Sequence, residues 1–373
     1  MSADVVVIGA GTVGAALAYG LAIRGARVLL LDGGDRDFRA ATANFGLIWS
    51  QGKGMDMPAY QQLTRDSADQ WPSFCAEIEG ATGLDLQYER RGGLTLCLGE
   101  AEFEARRTKM LRLQSQSGRQ QADWEMVERG RLERLLPKLN LGPEVTGASY
   151  GQRDGHANPL RLLTALHLAV VQKGGKIRSR SWVRSIRGEA GGGVTLQCGD
   201  ERIAAGRVVI AAGLGSKALA AEVGLDLPIR PQRGQVLVTE RVESLLPLPL
   251  HAIRQTGEGT IMIGATHEEA GLDSSTTTRA AAGLSARAIR WIPALSALTL
   301  VRQWAGLRIM TPDSYPIYAQ SQSCPGAFVA TCHSGVTLAP THAHLLAESV
   351  LAGRLPASLD AFHQRRFDVP QAA

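Results

Sequence analysis

Three glycines in the run Gly9-Ala-Gly11-Thr-Val-Gly14, followed by Asp32, form the first constellation in the chain with a chemical consequence. Gly9 permits a tight turn, Gly11 lets backbone N–H groups approach a pyrophosphate at the positive end of a helix, and Gly14 allows close helix–strand packing. Asp32 is placed to accept hydrogen bonds from ribose hydroxyls. The spacing predicts a bound dinucleotide rather than a plain packing turn, and it leaves open NAD or FAD, which share the motif. The chain carries no Ser–His–Asp or paired-carboxylate signature. Cys75, Cys97, Cys198, Cys324 and Cys332 show no C-x-x-C spacing and read as reduced, buried thiols rather than zinc or iron–sulfur ligands. His267-Glu268-Glu269 and His342-x-His344 contain metal-ligand residue types. The first lacks a convergent partner and the second points its side chains apart on a helix, so no metal is expected.

These residues need elements to hold them. Asp4-Val-Val-Val-Ile-Gly is a buried parallel strand by pattern, Gly14–Arg24 a helix closed by Gly25, and Arg27–Asp32 the next strand, giving a βαβ unit. Arg207–Gly213 and Ala327–Thr331 supply further buried strands of that sheet, the second leading into a helix over 337–351. Gly93–Leu98, Gly234–Thr239 and Thr260–Gly264 alternate and predict an antiparallel sheet. The expected fold class is α/β, a Rossmann-type domain of residues 1–85, 145–225 and 303–373 with an inserted antiparallel-sheet domain of residues 86–144 and 226–302. Gly191–Gly193 reads as a hairpin tip. Asn158 and Pro159 read as the entry to a helix over 160–171, and Arg365-Arg366 as a solvated helix end.

At 373 residues the chain exceeds what one core holds, and 45% apolar with 20% charged residues is ordinary for a globular protein. The net charge of +5 comes without a Lys/Arg block, so nucleic-acid binding has little support and an anionic cofactor explains it as well. No run approaches the roughly 18 apolar residues of a transmembrane span. The first strand starts at Asp4, too early for a signal peptide, so a cytoplasmic location is expected.

Longer segments carry a resemblance. Ala41-Thr-Ala-Asn44-Phe-Gly46-Leu47, Arg207–Gly215, Pro231-Gln-Arg-Gly-Gln235, Trp304-Ala-Gly-Leu-Arg308 through Pro316, and Pro325–Pro340 with its Cys332-His333-Ser-Gly335 are similar to the glycine oxidase and D-amino-acid oxidase flavoproteins. The likeness runs from Met1 to about Gly353, with Ala41 where Ser is usual and Cys332 where Gly is usual. Within the family, Asn44 through Gly54 most resembles D-hydroxyproline dehydrogenases and the FAD subunits of hydrogen cyanide synthase and opine oxidase. The resemblance implies FAD held by Gly9, Gly11, Thr12, Val13, Gly14, Asp32, Gly33, Thr42, Ala43, Asn44, Gly46, Leu47, Val183, Ala212, Gly213, Gly215, Arg308, Ser334, Gly335, Val336, Thr337 and Leu338.

It further implies oxidation of the C–N bond of a small D-amino or imino acid, D-hydroxyproline or D-proline first, by hydride transfer from Cα to the flavin. Glycine and opines are the alternatives, and an electron-relay subunit is another. Companion subunits that carry electrons away are a possible partner. A lone arginine often pairs with a carboxylate at a domain interface, but Arg308 matches the family's substrate-carboxylate arginine, and its planar fork suits that ligand. His333 is expected near the flavin. Trp49, Gln51 and Lys53 lie in a loop that either covers the substrate or carries such residues because it is solvated.

Overall fold

The computed structural model describes residues 3–34 and 40–368. The strand Ala3–Ile8, buried from Val5 onward, lies at the centre of the main sheet. It pairs in parallel with Val28–Leu31 on one side and Glu201–Ile210 on the other. Lys176–Arg178 extends the sheet in parallel beyond the first neighbour, Ala327–Thr331 beyond the second, and Ile317–Gln320 closes that edge antiparallel. The chain thus winds outward both ways from Ala3–Ile8, which leaves a crevice at the carboxyl ends of the central strands, where such sheets bind ligands. The hairpin Val183–Gly188 and Val194–Cys198 pairs onto Glu201–Ile210, and at its tip Gly192 and Gly193 take φ of 84° and 88°.

Helix Thr12–Ala22 covers one face, packed by Pro159–Gln172 and by the helical segment Ala339–Ala352. Asn158 caps the former, its side chain accepting from the N–H groups of Leu160 and Arg161. The segment Ala339–Ala352 differs from the single helix expected over 337–351, because His342–Leu346 is wound as a π-helix. Gly20 allows the crossing, since a Cβ there would lie 1.8 Å from the Ala343 carbonyl oxygen.

A second layer is antiparallel. Ile253–Gln255, Thr260–Gly264, Arg230–Arg241 and Leu300–Met310 form one sheet in that order, and Gly93–Leu98, Val145–Gly151 and Trp124–Glu128 another. The two are stitched together where Leu94 N donates to Pro249 O at 3.1 Å and His251 N to Leu94 O at 2.8 Å. They share a core that includes Leu94, Leu96, Ala148, Leu237, Ile253 and Ile263. Val145–Gly151 and Leu300–Met310 begin close to the boundaries expected at 145 and 303, yet their backbone groups are satisfied by Gly93–Leu98 and Arg230–Arg241, so antiparallel pairing runs on past both positions.

Helices Pro58–Thr82 and Gly99–Ser117 go beyond the elements read from sequence. Arg366 also departs from its reading as solvated: it pairs with Asp313 at 2.7 Å and donates to the Phe362 carbonyl. The five cysteines are free and buried. Among the described residues no helix is long and apolar enough to cross a membrane.

Candidate active site

A cavity of about 660 Å³ extends from the carboxyl edge of the main sheet to the antiparallel layer. At the first end, Gly9 turns with φ of 101°, and a Cβ there would lie 2.4 Å from the Ala211 carbonyl oxygen, so only glycine fits. Gly11 is different: the nearest atom to an added Cβ is the Ala41 Cβ at 3.7 Å. A side chain at Gly11 would enter the cavity, not the protein. Helix Thr12–Ala22 starts here without a side-chain cap, which leaves its first N–H groups for an anion. Thr12 Oγ1 is buried with no partner among the described residues. The Asp32 carboxylate accepts from Ala10 N at 3.0 Å and Gly34 N at 2.9 Å, so it fixes the turn as well as facing the cavity. The donor set fits the diphosphate and ribose of a dinucleotide.

At the far end, the turn His333–Leu338 follows strand Ala327–Thr331. Helix Pro58–Thr82 props it from behind, with Ser67 Oγ donating to Thr337 O at 2.8 Å and Trp71 Nε1 at 3.2 Å. Thr337 Oγ1 accepts from Trp49 N at 3.2 Å, which ties the turn to the loop after Leu47. The N–H groups of Gly335, Val336 and Thr337 have no acceptor among the described residues. Lys53 Nζ and the Tyr60 hydroxyl both donate to Ser334 Oγ, at 2.7 and 3.0 Å, and Ser334 lies 3.3 Å from His333 Nε2. Burial, with Lys53 and Arg308 nearby, pushes His333 down to about 3, so its ring is neutral. Burial likewise lowers His251, whose ring lies 5.6 Å from that of Trp49, to about 4.

Arg308 projects from Leu300–Met310, opposite Gln232. Its Nη1 donates to Thr266 O at 2.9 Å, and its guanidinium lies across Gly234, where a Cβ would stand 2.5 Å from Nη2. Burial works against its charge, while Glu268 nearby favours it. No carboxylate pairs with it among the described residues: Glu268 is held by Arg233 at 2.8 Å and by Gln235 at 2.8 Å.

The structure brings most of the expected site residues together around the cavity: Gly9, Gly11, Thr12, Val13, Asp32, Gly33, Thr42, Ala43, Asn44, Leu47, Trp49, Lys53, Val183, Ala212, Gly213, Gly215, Arg308 and His333–Thr337. Four lie elsewhere. A Cβ on Gly14 would be 1.9 Å from Gly9 O, and one on Gly46 would be 2.4 Å from Ala157 O, so both serve close backbone packing. Leu338 is fully buried in the core. Gln51 is saturated inside the protein, donating to Gly93 O at 2.9 Å and accepting from Arg106 and Ser149 at 2.8 and 2.6 Å. Sequence reasoning missed His251 as a lining residue, weighed His267 only as a metal-ligand type, and passed over Tyr60, Ser67 and Trp71 behind the turn.

The profile of the family described as FAD dependent oxidoreductase (DAO) matches residues 4–349. The chain belongs to this family. As a DAO-family protein it uses FAD to oxidise an amino-acid-like substrate at a C–N bond, and the unsatisfied donors around the cavity suit that cofactor. It is 42% identical to a subunit of the opine oxidase of Agrobacterium tumefaciens (strain Ach5), over 99% of each chain. It is 28% identical to a glycine oxidase of Pseudomonas putida, covering 95% of this chain and 96% of that one. The crystal structure of glycine oxidase from Geobacillus kaustophilus superposes with a TM-score of 0.87 at 25% identity, over 97% of this chain and 98% of the other.

Proposed function

We propose that the substrate is a small D-amino or imino acid whose nitrogen is a secondary amine, D-hydroxyproline or D-proline before others, and that Arg308 binds its carboxylate. The observation that carries this reading is Arg308 itself, a cavity-lining guanidinium with backbone partners and no protein carboxylate. A bidentate fork of this kind is suited to a carboxylate ligand. Trp49, Val236 and Ala265 give the cavity apolar wall that suits a small ring.

FAD, when bound, accepts a hydride from the substrate Cα. For the cofactor, Gly9–Val13 and the first turn of Thr12–Ala22 are the diphosphate site, Asp32 the ribose site, and Ala212–Gly215 with Thr42–Asn44 its flanks. The N–H groups of Gly335, Val336 and Thr337 are offered to negative charge on the flavin ring. Neutral His333 and His251 add no charge to the substrate end, which leaves Arg308 and Lys53 as its cations, and of the two Arg308 has the planar fork that suits a carboxylate. Companion subunits that remove electrons follow from the same reading, because the 42% relative is itself a subunit.

An anaerobic screen tests this. The isolated chain with FAD is mixed with D-hydroxyproline, D-proline, L-proline, glycine and an opine, and bleaching of the flavin band is followed. Reduction by the cyclic D-imino acids first supports the proposal. Faster reduction by the opine moves the substrate to a linear secondary amine, the second reading that the 42% relative favours, and glycine would point to a glycine oxidase. No reduction by any amino acid without partners would leave only an electron-relay role.

A further inference from the structure

Lys53 is the one described residue that lines both the large cavity and a second, smaller one behind it. The second cavity, about 20 Å³, is walled by Gln51, Gln61, Arg65, Asp123 and Trp124. That is room for one water, which needs roughly 10–15 Å³ and polar partners. Asp123 pairs with Arg65 and, at 2.5 Å, with Arg153, whose side chain is 23% exposed, so the polar wall leads to the surface.

The amino group is held on the large-cavity side by its bond to Ser334 Oγ, while the residue itself reaches the second cavity. The titratable groups facing it are Cys332 and His333 from the turn, Tyr60 from Pro58–Thr82, Asp154 from beyond Gly151, and His251 from the stitched loop. Burial raises Tyr60 and pushes Cys332 up to about 12, and it lowers His333 to about 3 and His251 to about 4. None of these four exchanges a proton near neutrality. Asp154, raised by burial to about 6, lines neither cavity, and one of its oxygens is occupied by Ser50 and Gln51. Burial brings Lys53 down to about 8, into the working range.

An amino acid arrives with its nitrogen protonated, and its lone pair must be freed before the C–N bond can be oxidised. We propose that Lys53 is the proton relay of the reaction, taking one N–H proton of the substrate ammonium in the large cavity and passing it through the second cavity, past Asp123, to solvent. The step balances: an N–H bond of the substrate breaks as a bond to Nζ forms, the Cα–H electron pair leaves as hydride to FAD, and an iminium remains. The inference rests on the amine-oxidation reading above.

The test is anaerobic stopped-flow reduction of the FAD-loaded protein as a function of pH. In the wild type the limiting rate should rise with pH and level off above about 8. Lys53→Met should lose that limb and slow reduction near neutrality on the order of a hundredfold, the usual worth of a positioned proton acceptor. Its FAD content should be retained. Lys53→Arg keeps the charge but cannot give up a proton, so it should fail like the methionine variant, and added methylamine should restore part of the rate to Lys53→Ala. Rescue by arginine, or an unchanged pH limb in Lys53→Met, overturns the relay while leaving amine oxidation standing. If the variants do not fold, a wild-type rate flat from pH 6 to 10 overturns it equally. If no amino acid reduces the wild type, the functional reading falls and the relay with it.

Discussion

The Arg308 guanidinium is oriented by Thr266 O and by the flat surface of Gly234, while its Nε and Nη2 have no acceptor among the described residues. Removing it leaves a substrate carboxylate poorly paired in a partly dehydrated cavity. Arg308→Ala should cost about 2–5 kcal/mol of transition-state binding, seen in kcat/KM, with FAD content and fold retained. Arg308→Lys should recover only part, because it keeps charge without the fork. Wild-type efficiency in Arg308→Ala would move the carboxylate site elsewhere. The glycines separate two roles in the same motif. Gly11→Val meets no protein atom closely but enters the cavity, so a folded protein with little FAD is expected by absorbance after gel filtration. Gly14→Ala must push its Cβ away from Gly9 O, only 1.9 Å distant, and should lower the urea midpoint itself.

Elements whose signal is local were legible. Val5–Ile8 read as a buried strand because its apolar run ends at a glycine turn, and Asn158-Pro159 read as a helix entry because the cap lies within three residues of what it caps. Helix Pro58–Thr82 was not, although Tyr60, Leu63, Ser67, Trp71, Phe74 and Ile78 follow helical spacing. Ser67 interrupts the apolar stripe and Pro72 reads as a break. The serine and tryptophan are there because they hydrogen-bond the Thr337 carbonyl, a partner some 270 residues away. Long-range pairing likewise hid His251, whose loop is stitched to Leu94 in another sheet. Nothing in the residue types of His342–Leu346 signals a π-helix. The Rossmann half of the site was therefore readable and much of the substrate half was not. At this scale the crossing at Gly20 is the sharpest test. An alanine there drives its Cβ against Ala343 O and Ala347 Cβ, at 1.8 and 2.7 Å, so Gly20→Ala should destabilise by about 1–3 kcal/mol in urea, despite the better helix propensity of alanine. A stabilised variant would mean the two helices slide apart freely.

Across the whole molecule, folding holds four histidines as neutral rings: His156 and His342 are buried, His333 is half-buried, and His251 is exposed along the cavity. Desolvation holds His156, His333 and His342 at about 3 and His251 at about 4, against the ordinary 6.5. For each, the folded value lies below the unfolded one, so its contribution is complete above pH 6.5 and is lost as pH falls towards the folded value. Asp154 opposes them: raised from 3.8 to about 6, it favours the fold at low pH and loses that contribution as pH rises across the same interval. One carboxyl against four imidazoles makes these five groups together take up about three protons on unfolding near pH 5, and the lowered carboxylates such as Asp313 and Glu268 act in the same direction. The FAD-loaded protein should therefore unfold at clearly lower urea at pH 5 than at pH 7. His342 isolates one term, because it sits in the π-helix and its Nε2 bonds the Tyr318 hydroxyl at 2.9 Å. His342→Leu should be less stable at pH 7, having stranded that hydroxyl, but its midpoint should fall less steeply on acidification by about one proton's worth, roughly 1.4 kcal/mol per pH unit. An equal slope in variant and wild type would show that His342 is protonated in the folded protein and that burial alone does not set its charge.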